Sequence, residues 1–256
     1  TEAPTQARAP EQVPVAVPRQ GNDHETAEIV PINDEDDGDG STGSRMFLLV
    51  VEELVDNLAD LLEEMSADLD NLSTRIFDFD ASARPGLAGK DEHGSHSRNL
   101  SQRFISQWLA RRPQDGVTYR DIGQNPPSFV SHDWIASAFT PEERQQPWMK
   151  DALAESDRLV DELLAADVLV IGTPLYNFGM PAALKAWIDQ VVRLNRTVGL
   201  DESNPLDPYV PMLADRERHA VILTARGGVG FGPGGAMAHM NHLEPNLATA
   251  LGFIGI

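Results

Sequence analysis

The sequence predicts an α/β domain built on a parallel β-sheet with helices on both faces, preceded by an acidic extension. Two observations predict this fold class. From residue 73 onward, strand-like and helix-like patterns alternate along the chain, as they do in parallel α/β proteins. The segments DVLVIGTP (167–174) and RHAVILTARGG (218–228) are apolar runs rich in β-branched residues, which is typical of strands buried on both faces.

Residues 1–72 are predicted to be an addition to the α/β domain at 73–256. Residues 1–45 are rich in Pro, Glu, Asp and Gly and have no apolar periodicity, which is typical of disordered segments. The acidic run at 34–43 departs from the ligand pattern of a calcium-binding loop, and we interpret it as a solvated charge run. Residues 46–72 are predicted to form an amphipathic helix and a linker. The helix is predicted because apolar residues recur at spacings of 4-3-4-3-4, at Phe47, Val51, Leu54, Leu58, Leu61 and Met65.

The elements of 73–256 follow one another in a regular order. Strands are predicted where short apolar runs end at turn residues, and helices where apolar residues recur every three or four positions. The Pro-rich stretch at 123–147 is predicted to be irregular. In chain order the predicted elements are a strand at 74–82, a helix at 97–112, a strand at 116–122, a helix at 148–166, a strand at 167–174, a helix at 180–195, a strand at 218–228 and a helix at 236–253.

Charge and composition exclude several classes of function. The formal net charge is −20, and residues 1–72 hold 18 Asp or Glu against three Arg, so no basic surface is available for a nucleic-acid partner. The chain has no cysteine, which excludes disulfides and a cysteine nucleophile and fits a reducing compartment. The longest apolar run, at 46–51, is far shorter than the roughly 20 residues of a membrane-spanning helix. Residues 1–20 show no signal peptide, and we therefore expect a cytoplasmic protein without membrane contact.

Three loops lie at the carboxyl ends of predicted strands, where open parallel sheets bind their ligands. The first is SHSRNLS (95–101). Its Ser95 and Ser97 stand at a helix N-terminus, where hydroxyl groups, free N–H groups and the helix dipole suit a phosphate monoester. The alternative is plain N-capping by Ser97, with Ser95 an ordinary loop residue.

The second loop, TPLYNF (173–178), places two aromatic rings at a strand end. Aromatic side chains can wall a flat heterocycle there, and backbone N–H groups can donate to its ring atoms. The alternative is core packing of Tyr176 and Phe178 against the following helix. The third loop, TARGG (224–228), has two glycines that let the backbone approach a ligand closely. Its Arg226 could pair with a phosphate or with an acidic side chain.

Two further patterns are not interpreted as sites. Gly230, Gly232 and Gly235 match G-x-G-x-x-G, but no acidic residue follows at the end of a next strand, as a dinucleotide fingerprint requires. His239 and His242 are three residues apart and have no evident third ligand, so no metal site is predicted.

Taken together, the motifs SHS, PLYNF and ARGG and the ending ATALGFIGI resemble the FMN-dependent NADH:quinone oxidoreductases, also called FMN-dependent azoreductases, of flavodoxin-like fold. The resemblance covers residues 73–256 and is strongest at 166–198. It implies a doubly wound parallel sheet that binds FMN noncovalently. The FMN-binding residues that it implies are Ser82, Ser95, His96, Ser97, Leu175, Tyr176, Asn177, Phe178, Ala225, Arg226, Gly227 and Gly228.

The sequence departs from the family pattern at three places. The loop between Ser82 and Ser95 is longer than expected for the family, and Ala225 stands where such proteins often have a hydroxyl residue. The family also continues beyond the segment GFIGI (252–256) into a fifth strand. We therefore expect a C-terminally incomplete domain whose four-stranded sheet has an uncovered edge.

The activity implied by the resemblance is a two-step, ping-pong oxidoreduction. NADH or NADPH passes a hydride to N5 of the flavin and leaves, and a quinone or azo compound then takes two electrons. No protein acid or base is required, so no catalytic residue is assigned. The family also implies a homodimer in which the partner chain completes the pocket. Two alternatives stay open: a non-enzymatic electron-transfer flavoprotein, against which the long loops at 123–147 and 195–212 argue, and an inactive truncated domain that acts as an interaction protein.

Overall fold

The computed structural model describes residues 29–31, 45–50, 62, 65, 69 and 73–256. Eight strands and five helices lie in this part of the chain, and their order alternates from residue 75 onward as the sequence predicts. The strands are β1 (Ile29–Pro31), β2 (Arg45–Val50), β3 (Arg75–Asp80), β4 (Gly116–Asp121), β5 (Val168–Pro174), β6 (Val198–Leu200), β7 (Tyr209–Pro211) and β8 (His219–Ala225). The helices are α1 (His96–Arg111), α2 (His132–Ala138), α3 (Pro147–Ala165), α4 (Ala182–Val191) and α5 (Glu244–Ile254).

One six-stranded sheet forms the centre of the molecule, with the strand order β1-β2-β8-β5-β3-β4. All neighbouring strands in it are parallel except β1 and β2. The stretch β4-β3-β5-β8 reproduces the first four positions of the 2-1-3-4-5 order of flavodoxin-like sheets. The predicted doubly wound parallel sheet is therefore confirmed. Strands β6 and β7 form a separate antiparallel pair.

The edge of β8 is covered by β2, and this corrects two expectations. Residues 46–50, predicted to be helical, are a strand, and the predicted four-stranded sheet with an uncovered edge is wrong. Arg45 lies opposite His219 and Val50 opposite Thr224 in a parallel register. The physical reason is that six consecutive apolar residues fit a buried strand as well as a helix, because a short run contains too few polar positions to show a period. β1 also falls within the segment predicted to be disordered.

The remaining predictions for residues 1–72, including the domain boundaries, fall largely outside the described residues. Within the domain, two predicted boundaries are wrong. The stretch at 123–147 is not irregular throughout, since it contains α2 and a short 3₁₀ turn at Glu142–Arg144. The last helix begins at Glu244 rather than at 236, because Pro245 lies in its first turn and proline favours a helix start.

Hydrophobic side chains pack on both faces of the sheet, because successive strand residues point to opposite sides. On one face, Phe79 contacts Trp187 of α4 with ring centroids 4.6 Å apart, in a cluster that includes residues of α3 and α5. On the other face, Ile76 lies in a cluster with residues of α1 and with Leu62 and Met65. The carboxyl ends of β3, β5 and β8 emerge together between these layers.

Candidate active site

A cavity of about 710 Å³ lies at the carboxyl ends of β3, β5 and β8. Its volume is within the range of roughly 300–1,000 Å³ that is typical of small-molecule sites. Nine of the twelve residues that the family resemblance assigns to FMN line it, so the three loops meet at one cavity; Asn177, Phe178 and Gly228 are not among the lining residues. The lining residues are Ser82, Arg84, Ser95, His96, Ser97, Asn99, Leu100, Arg103, Pro174, Leu175, Tyr176, Ala225, Arg226 and Gly227.

The N-terminus of α1 forms one end of this cavity. Ser95 caps the helix, and its Oγ accepts a hydrogen bond from the N–H of Arg98 at 3.3 Å. The predicted cap is therefore present, but the capping residue is Ser95 and not Ser97. The two hydroxyl oxygens of Ser95 and Ser97 are buried and lie 3.1 Å apart. Since the first turn of α1 contains no acidic residue, its free N–H groups and positive dipole end remain available to an anion.

Arg98 supports the loop that leads into this helix, a role that no local sequence pattern predicts. Its guanidinium donates to the carbonyl oxygens of Ser82 and Arg84, both at 2.8 Å. It also forms a bidentate ion pair with Asp121 at the end of β4, at 2.7 and 2.6 Å. Burial alone would lower the pKa of Arg98, but the hydrogen bonds and charges of Asp121 and Asp80 raise it. A charged Arg98 therefore ties β3, β4 and α1 together beneath the cavity.

The long loop between Ser82 and Ser95 folds back on itself. The N–H of Ser95 donates to the carbonyl of Gly86 at 3.1 Å, and the N–H of Ala88 donates to the carbonyl of Ser95 at 3.1 Å. Gly86 has a φ of +71°, a left-handed conformation that glycine adopts without steric cost. These bonds bring the extra residues back to the start of α1. Of this loop, Ser82, Arg84 and Ser95 line the cavity, and residues 85–94 do not.

The aromatic segment after β5 is a tight turn. Tyr176 and Gly179 exchange two backbone hydrogen bonds of 3.0 Å. Between them, Asn177 and Phe178 both have positive φ values, 48° and 68°, which is uncommon for asparagine and unfavourable for phenylalanine. Tyr176 is 37% and Phe178 44% exposed. These exposures contradict core packing of the two rings. Tyr176 lines the cavity, and Phe178 does not.

The segment after β8 forms the opposite wall. An ideal Cβ placed on Gly227 has no atom within 4 Å, so the protein itself does not require a glycine there. Gly227 lines the cavity. A ligand that approaches the backbone closely at this position would explain why a glycine stands there. Arg226 pairs with Glu244, so the acidic side chain that the sequence predicts as one of its two possible partners is present. Both members of this pair are buried.

The two patterns that the sequence analysis set aside have structural explanations. A Cβ on Gly235 would lie 2.3 Å from the carbonyl oxygen of Gly230, so this glycine permits a close turn within the loop after β8. Across the described residues, no group of three or more His, Asp or Glu side chains could hold a metal ion, and His239 and His242 are no exception. Among the same residues there is no helix long and apolar enough to cross a membrane.

Comparison with known proteins identifies the family. The family model described as "Flavodoxin-like fold" (Flavodoxin_2) matches residues 87–256. The chain belongs to this family. It is 42% identical over 181 residues to "FMN-dependent NADH:quinone oxidoreductase 2" of Idiomarina loihiensis, a match that covers 71% of this chain and 75% of that protein. It is 48% identical over 163 residues to "FMN-dependent NADH:quinone oxidoreductase 1" of Pseudomonas fluorescens, covering 63% and 76% of the two chains.

Solved structures lead to the same fold. The structure superposes on that of an azoreductase from Bacillus anthracis str. Sterne with a TM-score of 0.60 and 26% sequence identity. The match covers 71% of this chain and 82% of that one. The flavodoxin-like architecture predicted from residues 73–256 is thus confirmed by sequence and by structure.

Proposed function

We propose that this protein is an FMN-dependent NAD(P)H:quinone oxidoreductase. The observation that carries the proposal is the 710 Å³ cavity into which the three loops bring nine of the twelve implied FMN-binding residues. The names of the relatives at 42–48% identity support it. When bound, FMN supplies the redox chemistry, accepting a hydride equivalent from NADH or NADPH and giving two electrons to a quinone.

The walls of the cavity suit the parts of FMN. Ser95, His96, Ser97 and the N-terminus of α1 would hold the phosphate, since their hydroxyl and N–H groups are donors at a positive dipole end. The segments 175–178 and 225–228 would lie along the flavin ring on two sides. Ala225 has no hydroxyl group, so any hydrogen bond to the ring from this position has to come from the backbone.

The exposed aromatic turn at 176–178 favours a mechanism in which the electron donor and the electron acceptor bind one after the other at the same site. Tyr176 lines the cavity and is partly exposed, and a nicotinamide, a quinone and an azo compound are all flat enough to stack on its ring in turn. We therefore propose a ping-pong order, with azo compounds as additional electron acceptors. No Asp or Glu lines the cavity in the described part of the chain, so proton transfer is not assigned to a carboxylate.

A second copy of the chain is proposed as the partner. Exposed apolar side chains cluster in the segment around α2, at Phe129, Ile135, Phe139 and Trp148. Such a group of exposed apolar side chains is typical of an interaction surface, and a homodimer would cover it. A cytoplasmic location also remains our proposal, on the basis of the cysteine-free composition.

An absorbance spectrum of the purified full chain, with and without FMN, tests the proposal. We expect flavin bands near roughly 375 and 450 nm that survive desalting. We further expect NADH oxidation that depends on 1,4-benzoquinone. Retained flavin with slow NADH oxidation and no quinone turnover would instead indicate an electron-transfer flavoprotein, and a protein that never retains FMN would contradict the proposal.

The phosphate end is tested by the double variant Ser95→Ala/Ser97→Ala. Removing both buried hydroxyl groups should weaken FMN binding by about tenfold or more, since hydrogen bonds to charged groups contribute roughly 1.5–3 kcal/mol each. Ser106→Ala is the matched control, because its hydroxyl lies on the exposed side of the same helix and donates only to the carbonyl of Gln102. Equal FMN affinities of the two variants, measured by quenching of FMN fluorescence, would argue against this phosphate position.

A further inference from the structure

Glu244 is a buried carboxylate that the family resemblance does not assign. It lies in the first turn of α5, and only 3% of it is exposed. One oxygen, Oε1, accepts a hydrogen bond from the hydroxyl of Thr224 at 3.3 Å and also pairs with the guanidinium of Arg226. Both partners belong to the carboxyl end of β8, so Glu244 joins the start of α5 to the segment that lines the cavity.

In the described part of the chain, Thr224 is the only other residue that forms a hydrogen bond with the side chains of Glu244 and Arg226. The other carboxylate oxygen of Glu244 and the Nε atom of Arg226 are buried and have no hydrogen-bond partner there. The Arg226 side chain is itself 5% exposed. At buried positions such as these, a charged side chain that loses its partner strongly destabilises the protein. The orientation of Arg226 therefore depends on a single oxygen of Glu244.

The same pair closes the loop that connects β8 to α5. Residues 227–243 leave the sheet after Arg226 and return immediately before Glu244, so the ion pair fixes both ends of this loop. Near its return, the N–H of His242 donates to the carbonyl of Phe178 at 2.8 Å. The ring of Phe231, also in this loop, contacts the ring of Phe178 at 6.4 Å between centroids. The loop thus connects the pair to the strained aromatic turn.

From these contacts we infer that Glu244 is a positioning residue of the proposed FMN site. It holds the backbone at 225–227 through Arg226 and Thr224, and it holds the turn at Phe178 through the loop that it closes. Glu244 does not line the cavity, so it acts through these neighbours and does not touch the ligand. This inference rests on the proposed function.

The variant Glu244→Gln tests the inference, because it keeps the shape of the side chain and removes its charge. We expect FMN binding to weaken by about tenfold, the lower end of the effect that removing the groups which orient metal ligands has on metal affinity. We also expect a changed visible circular dichroism spectrum of the bound flavin. Asp115→Asn is the matched control: Asp115 is equally buried and pairs with Arg112 at 2.7 Å, but it does not line the cavity.

A merely structural role predicts a different pattern. Both variants would then lower the thermal midpoint of the FMN-free protein, and neither would change the flavin spectrum. Equal FMN affinity and an equal spectrum in Glu244→Gln and wild type would overturn the inference, as would an equal loss of affinity in Asp115→Asn.

Thr224→Val provides a second variant should Glu244→Gln not fold, since it removes one hydrogen bond to Glu244 without leaving a charge unpaired. It should weaken FMN binding by about twofold to fivefold, and an unchanged affinity would again overturn the inference.

The two proposals fail in distinguishable ways. If wild type does not bind FMN, the proposed function itself is overturned. If wild type binds FMN and Glu244→Gln binds it equally well with the same spectrum, the function stands and only the positioning role of Glu244 is lost.

Discussion

Asp78 is a buried carboxylic acid that lies close to a second one, Asp80. It lies on β3, on the face that packs against α1, and it is 6% exposed. Its Oδ1 atom has no hydrogen-bond partner within the described chain. Burial, and to a smaller extent the charge of Asp80, raises its pKa to about 8 from an ordinary value of 3.8. At neutral pH the folded protein therefore holds Asp78 mostly protonated.

This raised pKa predicts a stability that falls as the pH rises. Between about pH 4 and pH 8 the unfolded chain releases the proton of Asp78 and the folded protein keeps it, so the free energy of unfolding decreases through this window and changes no further above it. In Asp78→Asn we expect the contribution of Asp78 to disappear, with a gain at pH 8 of up to roughly 5 kcal/mol, while that of Asp80, whose pKa burial also raises, is kept. Urea unfolding at pH 5 and pH 8 measures it. The exposed Asp151→Asn should keep the wild-type dependence, and an identical slope in both variants would contradict the prediction.

At the scale of one element, α1 has two separate functions in the site. Its N-terminus faces the cavity through Ser95 and Ser97, and its buried side holds the adjoining loop through Arg98. Because Arg98 bonds two carbonyl oxygens and one carboxylate at once, no single-point cation can replace it. The position of the phosphate end therefore depends on a residue that does not face the phosphate.

Arg98→Lys separates the effect of charge from that of geometry. We expect the free energy of unfolding to fall by about 2 kcal/mol and FMN binding to weaken, since the loop at 82–95 loses its anchor. Arg111→Lys, at the exposed end of the same helix, should change neither quantity. Thermal unfolding and an FMN titration of both variants are the measurements. Unaltered FMN affinity in Arg98→Lys would mean that the loop holds its shape without this side chain.

A structural feature could be predicted from the sequence when the pattern that indicates it lies within one short stretch of the chain. The strands β5 and β8 are continuous apolar runs, and the loops that follow them carry their own turn residues, so both strands and the cavity-lining loops could be predicted. Arg98 and Glu244 could not, because each acts on partners that are distant in sequence and show no shared pattern with it. Helix α2 was missed because it has only seven residues. It is held by a tertiary contact, the bond from Trp134 Nε1 to Gln190 at 2.8 Å.

At the scale of the whole molecule, residues that precede the predicted domain at 73–256 also pack into the folded structure. Leu62 and Met65 are fully buried and lie in one cluster with Val221 and Leu223 of β8. This cluster and the pairing of β2 with β8 mean that the N-terminal part of the chain contributes both to the sheet and to one of its covering layers. Its sequence predicts an addition to the domain because its composition differs from that of the rest.

The variant Leu62→Ala measures how much the packing of the N-terminal part on the sheet contributes to the free energy of unfolding. Truncating a fully buried leucine should lower the free energy of unfolding by about 2–5 kcal/mol, as measured by urea unfolding of the full chain. Leu206→Ala is the control, because Leu206 is 97% exposed and should tolerate the change. If Leu62→Ala is as stable as wild type, the N-terminal part does not pack on the sheet.

The pairing of β2 with β8 also has a consequence for how the protein folds. Arg45 is synthesised long before its partner His219, so β2 must wait until most of the chain has left the ribosome. Contacts between residues so far apart in sequence close slowly, because a long loop has to be ordered before they form. During that delay an apolar strand is unpaired, which exposes the nascent chain to aggregation. We therefore expect refolding to be slow, and its yield to depend on protein concentration more than that of flavodoxin-like domains whose edge strand is synthesised last.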